Sequence, residues 1–181
     1  RNKKDFNKAL DLIEQSFEMR KRLYPNQDHP HIASSLNYLG VIWSEKKDFD
    51  KALEFHILSL GMRKRLYPNQ DHPVIAHALN ELGTTVWNNK KDFDKALNFY
   101  TLSFEIYKNL YSNPNHPDLI FIMFNLTFIL CKSLSTRKKG IELLKQYKKI
   151  VTKDEDKQEI KNRLKEYDSI IGRNKSNRNK K

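Results

Sequence analysis

The chain has 181 residues, of which 38% are hydrophobic and 31% charged, and its formal net charge is +12. That length allows one or two domains with a sizeable core, and five Gly and six Pro are too few for the turns of an all-β fold. The single Cys131 cannot form an intrachain disulfide, and no apolar stretch resembles a signal peptide or a membrane span. The composition therefore predicts a cytoplasmic protein with no membrane contact.

The positive charge is concentrated near the C-terminus. Residues 136–181 contain 16 Lys and Arg against 7 Asp and Glu, whereas residues 1–135 contain 18 against 15. The last ten residues hold five positive charges and no negative one. A segment of this kind is usually solvated, and we expect a disordered basic tail at 172–181.

A twelve-residue segment, MRKRLYPNQDHP, occurs twice without change, at 19–30 and 62–73. A degraded copy, IYKNLYSNPNHP, follows at 106–117, and KKDF recurs with the same offsets of 43 and 44 residues. Self-similarity at this period is typical of a solenoid, in which each unit buries its apolar face against its neighbours. The segment therefore marks a corner that each unit makes again.

The first helix of each unit is predicted to begin at the proline of His-Pro, since proline suits a first helical turn. Apolar residues then recur at helical spacing, as in Ile32, Leu36, Leu39 and Trp43. The three histidines that precede these prolines, His29, His72 and His116, are predicted to cap helices. Metal ligands would have to converge, whereas equivalent residues in stacked units lie about 10 Å apart, so we expect no metal site.

The second helix of each unit follows Lys-Lys-Asp, with Asp48 as its N-cap in the first complete unit. It is predicted to end at Arg63–Arg65, where the helix dipole favours cations, and Pro68 prevents its continuation. Small residues at 40, 52 and 59 would let neighbouring helices approach closely.

Both complete units resemble tetratricopeptide repeats in the spacing of Leu, Leu-Gly, an aromatic residue and a later Ala. The residues that carry the resemblance are Leu36, Leu39, Gly40, Trp43 and Ala52, and again Leu79, Leu82, Gly83, Trp87 and Ala96. The longer unit and its Asp-His-Pro connector are similar to the kinesin light chain subclass. The resemblance implies an all-α fold, an α-solenoid of antiparallel helix pairs.

About 3.5 repeats and a C-terminal capping helix are predicted. The array would span 1–152, and its parts are a half repeat at 3–29, repeats at 30–72 and 73–116, a divergent repeat at 117–152, the capping helix at 153–171 and the tail. The chain begins at Arg1 with a second helix that lacks its first, which indicates a piece of a longer protein.

The resemblance also implies a concave groove that is lined by the first helices and binds an extended peptide of a partner protein. The groove positions are predicted to be Ser34, Asn37, Val41 and Ser44, then His77, Asn80, Thr84 and Asn88, and then Phe121, Phe124, Phe128 and Cys131. In this family, asparagines that match Asn37 and Asn80 contact the peptide. A carboxamide can both donate to and accept from a peptide backbone.

Several alternatives stay open. Asn37 and Asn80 would serve structure alone if they bonded between neighbouring helices, and the three phenylalanines would belong to the core if the following helices covered them. The basic clusters at 20–22 and 63–65 and the C-terminal segment would suit nucleic acid, although solvated helix ends also explain the clusters.

A scaffold role, with further repeats or another copy stacked on the N-terminal helix, is the third class of function. Nothing in the sequence indicates an enzyme or a cofactor, because it contains no phosphate-binding loop, metal cluster or nucleophile motif.

Overall fold

The computed structural model describes residues 3–150 and the single positions 158, 162 and 165. Residues 3–150 form helices and no strand, and the helices are α1 (Lys3–Leu23), α2 (Pro30–Glu45), α3 (Phe49–Leu66), α4 (Pro73–Lys90), α5 (Phe93–Leu110), α6 (Pro117–Lys132) and α7 (Arg137–Ile150). They fall into two compact units, 1–112 and 113–181. The predicted capping helix, 153–171, and the basic tail lie outside the described residues, apart from the three single positions.

The helices begin where the capping residues predict. Before each first helix, the histidine Nδ1 accepts the backbone N–H two residues on, at 3.2 Å for His29, 3.3 Å for His72 and 3.3 Å for His116. Before α3 and α5, the carboxylates of Asp48 and Asp92 accept the N–H three residues on, at 3.2 and 3.1 Å. These side chains satisfy donors that the first turn of a helix leaves unpaired. The predicted caps are confirmed.

The repeated segment forms the same connector at both of its identical copies. Tyr24 stacks on His29 with ring centroids 3.5 Å apart, and Tyr67 stacks on His72 at 3.7 Å. Asn26 and Asn69 have φ values of 57° and 55°, in the left-handed region that asparagine tolerates better than most residues. The stacked ring holds the capping imidazole in place while the asparagine turns the chain.

The arginine that begins each Arg-Lys-Arg cluster bonds to the following first helix. Arg63 is 7% exposed and its Nη1 donates to the carbonyl of Val74 at 2.6 Å. Arg20 repeats the bond, with Nη1 donating to the carbonyl of His31 at 3.0 Å and to Ser35 Oγ at 2.7 Å. The interpretation of these clusters as solvated helix ends is wrong for Arg63, because a carbonyl of the next helix takes up its guanidinium.

A second bond joins each connector to the second helix of the following repeat. Asp28 accepts two hydrogen bonds from Arg65, at 2.6 Å from Nε and 2.8 Å from Nη2. At the following connector, Asp71 accepts a bond from Asn109 Nδ2 at 2.8 Å. The aspartate near the end of each copy of the repeated segment is thus held by the second helix that follows it.

The buried apolar side chains between α1 and α5 lie between consecutive helices. Leu60, Ile75, Leu79 and Leu82 form one such cluster, and α1 packs on α2, α2 on α3, α3 on α4 and α4 on α5. Ser59 Oγ lies in the interior and donates to the carbonyl of Ala33 at 2.7 Å. Ser103 makes the equivalent bond to Ala76, also at 2.7 Å. The small residues therefore permit close helix contact, as predicted.

Gly40 and Gly83 leave room for an aromatic ring from the following helix. A Cβ on Gly40 would lie 2.6 Å from Cε1 of the His56 ring, and one on Gly83 would lie 2.9 Å from the Tyr100 ring. His56 is 0% exposed and Tyr100 is 3% exposed, so neither ring has space to move away. Glycine is required at both positions by this contact.

In the second unit, α6 packs against α7. Most of α6 is buried, including Ile122, Leu126 and Ile129. Gly140 stands where the repeat pattern places an alanine, and a Cβ there would lie 2.8 Å from Cys131 Sγ. The departure from the pattern is explained by this closer approach of the two helices.

Gly40→Ala is expected to destabilise the protein by about 1–3 kcal/mol, because the new methyl group overlaps an enclosed imidazole. Gly61→Ala is the matched control in a helix interior. Its Cβ would meet Arg65 Nη1 at 3.5 Å, an ordinary contact, so the change should stabilise by about 0.5–1 kcal/mol. Urea unfolding followed by circular dichroism measures both. Equal effects at the two positions would contradict the tight contact at Gly40.

Arg63→Ala is expected to cost about 2 kcal/mol of unfolding free energy, since it removes a buried bond from a charged donor. Lys64→Ala changes the adjacent, exposed cation and should stay within about 0.5 kcal/mol of the wild type. The same urea titration compares the two variants. If both are equally stable, the Val74 bond contributes nothing to the corner.

Candidate peptide-binding face

We call the eight predicted positions on α2 and α4 the first-helix face. They are Ser34, Asn37, Val41, Ser44, His77, Asn80, Thr84 and Asn88. The two helices contact each other directly within the first unit. His77 and Asn88 are exposed, and Ser34, Val41, Ser44 and Thr84 are half-buried. The two asparagines lie deeper than the rest.

Asn37 is 5% exposed and Asn80 is 2% exposed. Within the described structure, Asn37 Oδ1 is a buried acceptor without a hydrogen-bond partner. An unpaired polar atom in the interior costs about 1–3 kcal/mol, so it calls for a physical reason. Asn80 differs, because its side chain bonds to the carboxylate of the next residue, Glu81. The predicted pair of asparagines therefore has two different environments.

Glu81 borders the face, although it is not among the eight predicted positions. Its side chain is 23% exposed, and Oε1 lies 3.9 Å from His77 Nε2. Burial raises the pKa of the Glu81 carboxyl, while the charge of Arg63 and the bond from Asn80 lower it. A signal was present in the sequence, since Glu81 is the acidic residue of α4 and directly follows a predicted groove position.

The Thr84 hydroxyl is hydrogen-bonded within its own repeat. Its Oγ1 lies 3.1 Å from the carbonyl oxygen of Asn80, to which it donates, and 3.0 Å from Tyr100 Oη, where either hydroxyl can be the donor. Burial raises the pKa of Tyr100 to about 12, so the phenol stays neutral and available as a donor. The Thr84 hydroxyl therefore already has two hydrogen-bond partners within the protein.

His56 on α3 has a buried imidazole that packs against Gly40 of α2. Both ring nitrogens are buried, and neither has a hydrogen-bond partner among the described residues. Burial lowers the pKa of His56 from 6.5 to about 4, and the nearby charges of His77 and Arg63 act in the same direction. The ring is therefore held neutral in the folded state.

The three predicted phenylalanines belong to the second unit and do not share one environment. Phe124 is 7% exposed, whereas Phe121 is 53% exposed. Phe128 is half-buried, and Lys132 Nζ lies 4.4 Å from its ring centroid. Cys131, the fourth predicted position of this helix, is buried, and burial raises the pKa of its thiol to about 11. Of the four side chains, Phe121 and Phe128 are the two that are not buried.

The chain matches two family models, both described as tetratricopeptide repeat. One matches residues 32–109 and the other residues 1–31. The chain belongs to the tetratricopeptide repeat family. Tetratricopeptide repeats generally mediate contacts between proteins and generally catalyse no reaction. None of the curated proteins matches the sequence.

Solved structures of the kinesin light chain type share the fold. A protein of Podosopora anserina, described as a kinesin light chain with nearly identical TPR-like repeats, superimposes with a TM-score of 0.76 at 15% identity, covering 94% of this chain and 81% of its own. A variant of that protein with one substitution gives 0.70 at 14%, with coverages of 94% and 89%. BtubC (BKLC) from P. vanneervenii gives 0.71 at 20% identity over 81% of this chain. The chain spans 56% of the length of BtubC.

Three further observations concern membrane, metal and nucleic-acid binding. In the described part of the chain, none of the helices combines the length and apolar character needed to cross a bilayer. Among those residues, no three His, Cys, Asp or Glu side chains form a group that could hold a metal ion. Of the cluster at 63–65, Arg63 and Arg65 already bond within the protein, which leaves Lys64 to meet a phosphate.

The stability of the protein is expected to fall between about pH 6.5 and pH 4 because of His56. Its pKa is lower in the folded state than in the unfolded chain, so the unfolded chain takes up the proton first as the pH decreases. Wild type should lose about 2 kcal/mol more than His56→Phe between about pH 7 and pH 5. Urea titrations of both proteins at the two pH values measure this. Parallel losses in the two proteins would mean that His56 does not titrate in this range.

Proposed function

We propose that this chain is a non-catalytic module that binds an extended peptide of a partner protein across the first-helix face. The observation that carries the proposal is the pair Asn37 and Asn80, which occupy equivalent positions of α2 and α4 in a family of protein-binding repeats, and of which Asn37 has an unpartnered Oδ1. An amide N–H of a bound peptide would supply the hydrogen bond that this acceptor lacks.

Both carboxamides are nearly enclosed, so binding requires them to rotate outward. Such a rotation is compatible with their surroundings, because the neighbouring side chains of Ser34, Val41 and Thr84 are small and only half-buried. The gain is largest at Asn37, since its oxygen has no bond to give up in the described structure. At Asn80, the peptide would compete with the carboxylate of Glu81.

A scaffold role is the second candidate function, and a specific observation favours it. Leu12, Met19 and Leu23 on α1 are 55%, 58% and 64% exposed. An apolar row of this kind on a second helix suits another helix pair stacked against it. The peptide experiment separates the two candidates, because stacking on α1 does not depend on the asparagines of α2 and α4.

The peptide experiment selects a random-peptide display library on the wild-type protein and on the Asn37→Ala/Asn80→Ala variant, in moderate salt. Wild type should enrich a family of related peptides that the double variant fails to retain, because the backbone contacts are lost. Asn98→Ala is the matched control, since it removes an exposed carboxamide from α5, outside the first-helix face. It should retain the enriched peptides.

Two results would contradict the proposal. If wild type enriches nothing, the face does not bind peptides and the exposed row on α1 becomes the leading surface. If the double variant retains the same peptides, the asparagines are structural. Direct binding of a nucleic acid, falling steeply as salt increases, would instead favour the nucleic-acid alternative.

A further inference from the structure

The cations of the first unit are distributed unequally between first and second helices. Among its 16 residues α2 has no Lys or Arg, and α4 has one, its last residue Lys90. In contrast, α1 carries six, α3 four and α5 two. In a chain with a net charge of +12, the two helices that form the face thus have one cation between them, at the end of α4.

The carboxylates of these two helices lie on or beside the face. Glu45 is exposed at the end of α2, and Glu81 is in the middle of α4 next to Asn80. Near Glu81, the guanidinium of Arg63 is buried and donates to the Val74 carbonyl. Because Arg63 is enclosed, it cannot itself pair with a ligand at the surface, and its charge favours the ionised form of the Glu81 carboxylate.

The carboxylate of Glu81 is also well placed to receive a donor. In the free protein the side chain of Asn80 bonds to it, and a peptide that takes the Asn80 carboxamide would release the carboxylate for a donor of its own. Since the Glu81 side chain is only 23% exposed, the carboxylate is partly desolvated, and it gains more from a charged donor than one fully surrounded by water. An acidic peptide would be repelled here, and no Lys or Arg of α2 or of residues 73–89 would compensate.

We infer that the first-helix face selects peptides that carry an arginine or lysine side chain, and that Glu81 binds the cationic group. The inference rests on the proposed function, since it names the class of peptide that the same face takes. Because Glu81 follows Asn80 in α4, the cationic side chain would lie close to the backbone contact at Asn80. The Arg or Lys is therefore expected at one fixed position of the bound peptide.

The experiment repeats the random-peptide selection with Glu81→Gln, a variant of the same shape without the charge. Peptides enriched by wild type should share an Arg or Lys at one fixed position, and the variant should bind their consensus about tenfold or more weakly. Glu54→Gln is the matched control, because it removes one negative charge from an exposed position of α3. It should bind the consensus peptide like wild type.

A second measurement avoids any effect of the substitution on folding. The consensus peptide is synthesised with citrulline in place of its arginine, which keeps the shape and removes the charge, and its binding to wild type is measured by fluorescence anisotropy. The citrulline peptide should bind wild type about tenfold or more weakly. It should bind wild type and Glu81→Gln with similar affinity.

The failures of the two proposals differ. If wild type enriches no peptide, the proposed function fails and the inference fails with it. If wild type enriches peptides that lack a fixed Arg or Lys, or if citrulline and arginine peptides bind equally, the inference alone is overturned. Enrichment of acidic peptides would likewise overturn it and leave the proposed function intact.

Discussion

The turn from each second helix into the next first helix is the constraint on which the first unit depends. The connector after α3 has six residues, 67–72, in which to end one helix, reverse the chain and cap the next. Backbone groups at helix ends need partners, and a connector this short has few of its own. His72 Nδ1, on which the Tyr67 ring stacks, accepts the Val74 N–H, and the guanidinium of Arg63 donates to the Val74 carbonyl. The two identical copies therefore make the same cap, ring stack and arginine bond.

Much of the fold could be predicted because its signals are local. Proline after histidine and aspartate before phenylalanine determine helix starts through backbone geometry within three residues, and Pro30 and Asp48 stand where expected. The period of 43 and 44 residues adds the order in which the helices pack. These features need no knowledge of which side chain lies across an interface.

Contacts that depend on a partner distant in sequence could not be predicted in the same way. A cation in the last turn of a helix is favoured by the helix dipole whether it is solvated or buried, so the letters Arg-Lys-Arg do not distinguish Arg63 from Lys64. The close approach at Gly40 was expected, but the identity of the ring it accommodates was not. At the candidate site, position along the helix was predictable. The burial of Asn37 and the proximity of Glu81 to Arg63 were not.

The bonds between consecutive connectors and second helices have a consequence for how this kind of protein changes over generations. Asp28 bonds to Arg65 at the end of the helix pair that follows it, and Asp71 bonds to Asn109 at the equivalent place of the next pair. A duplicated copy of 30–72 inserted after residue 72 would find a capping histidine before it and a complete connector behind it. Recombination within the repeated segment would therefore add or remove a whole helix pair and leave every connector intact, so that only the packing of α3 on the new neighbour would have to adapt.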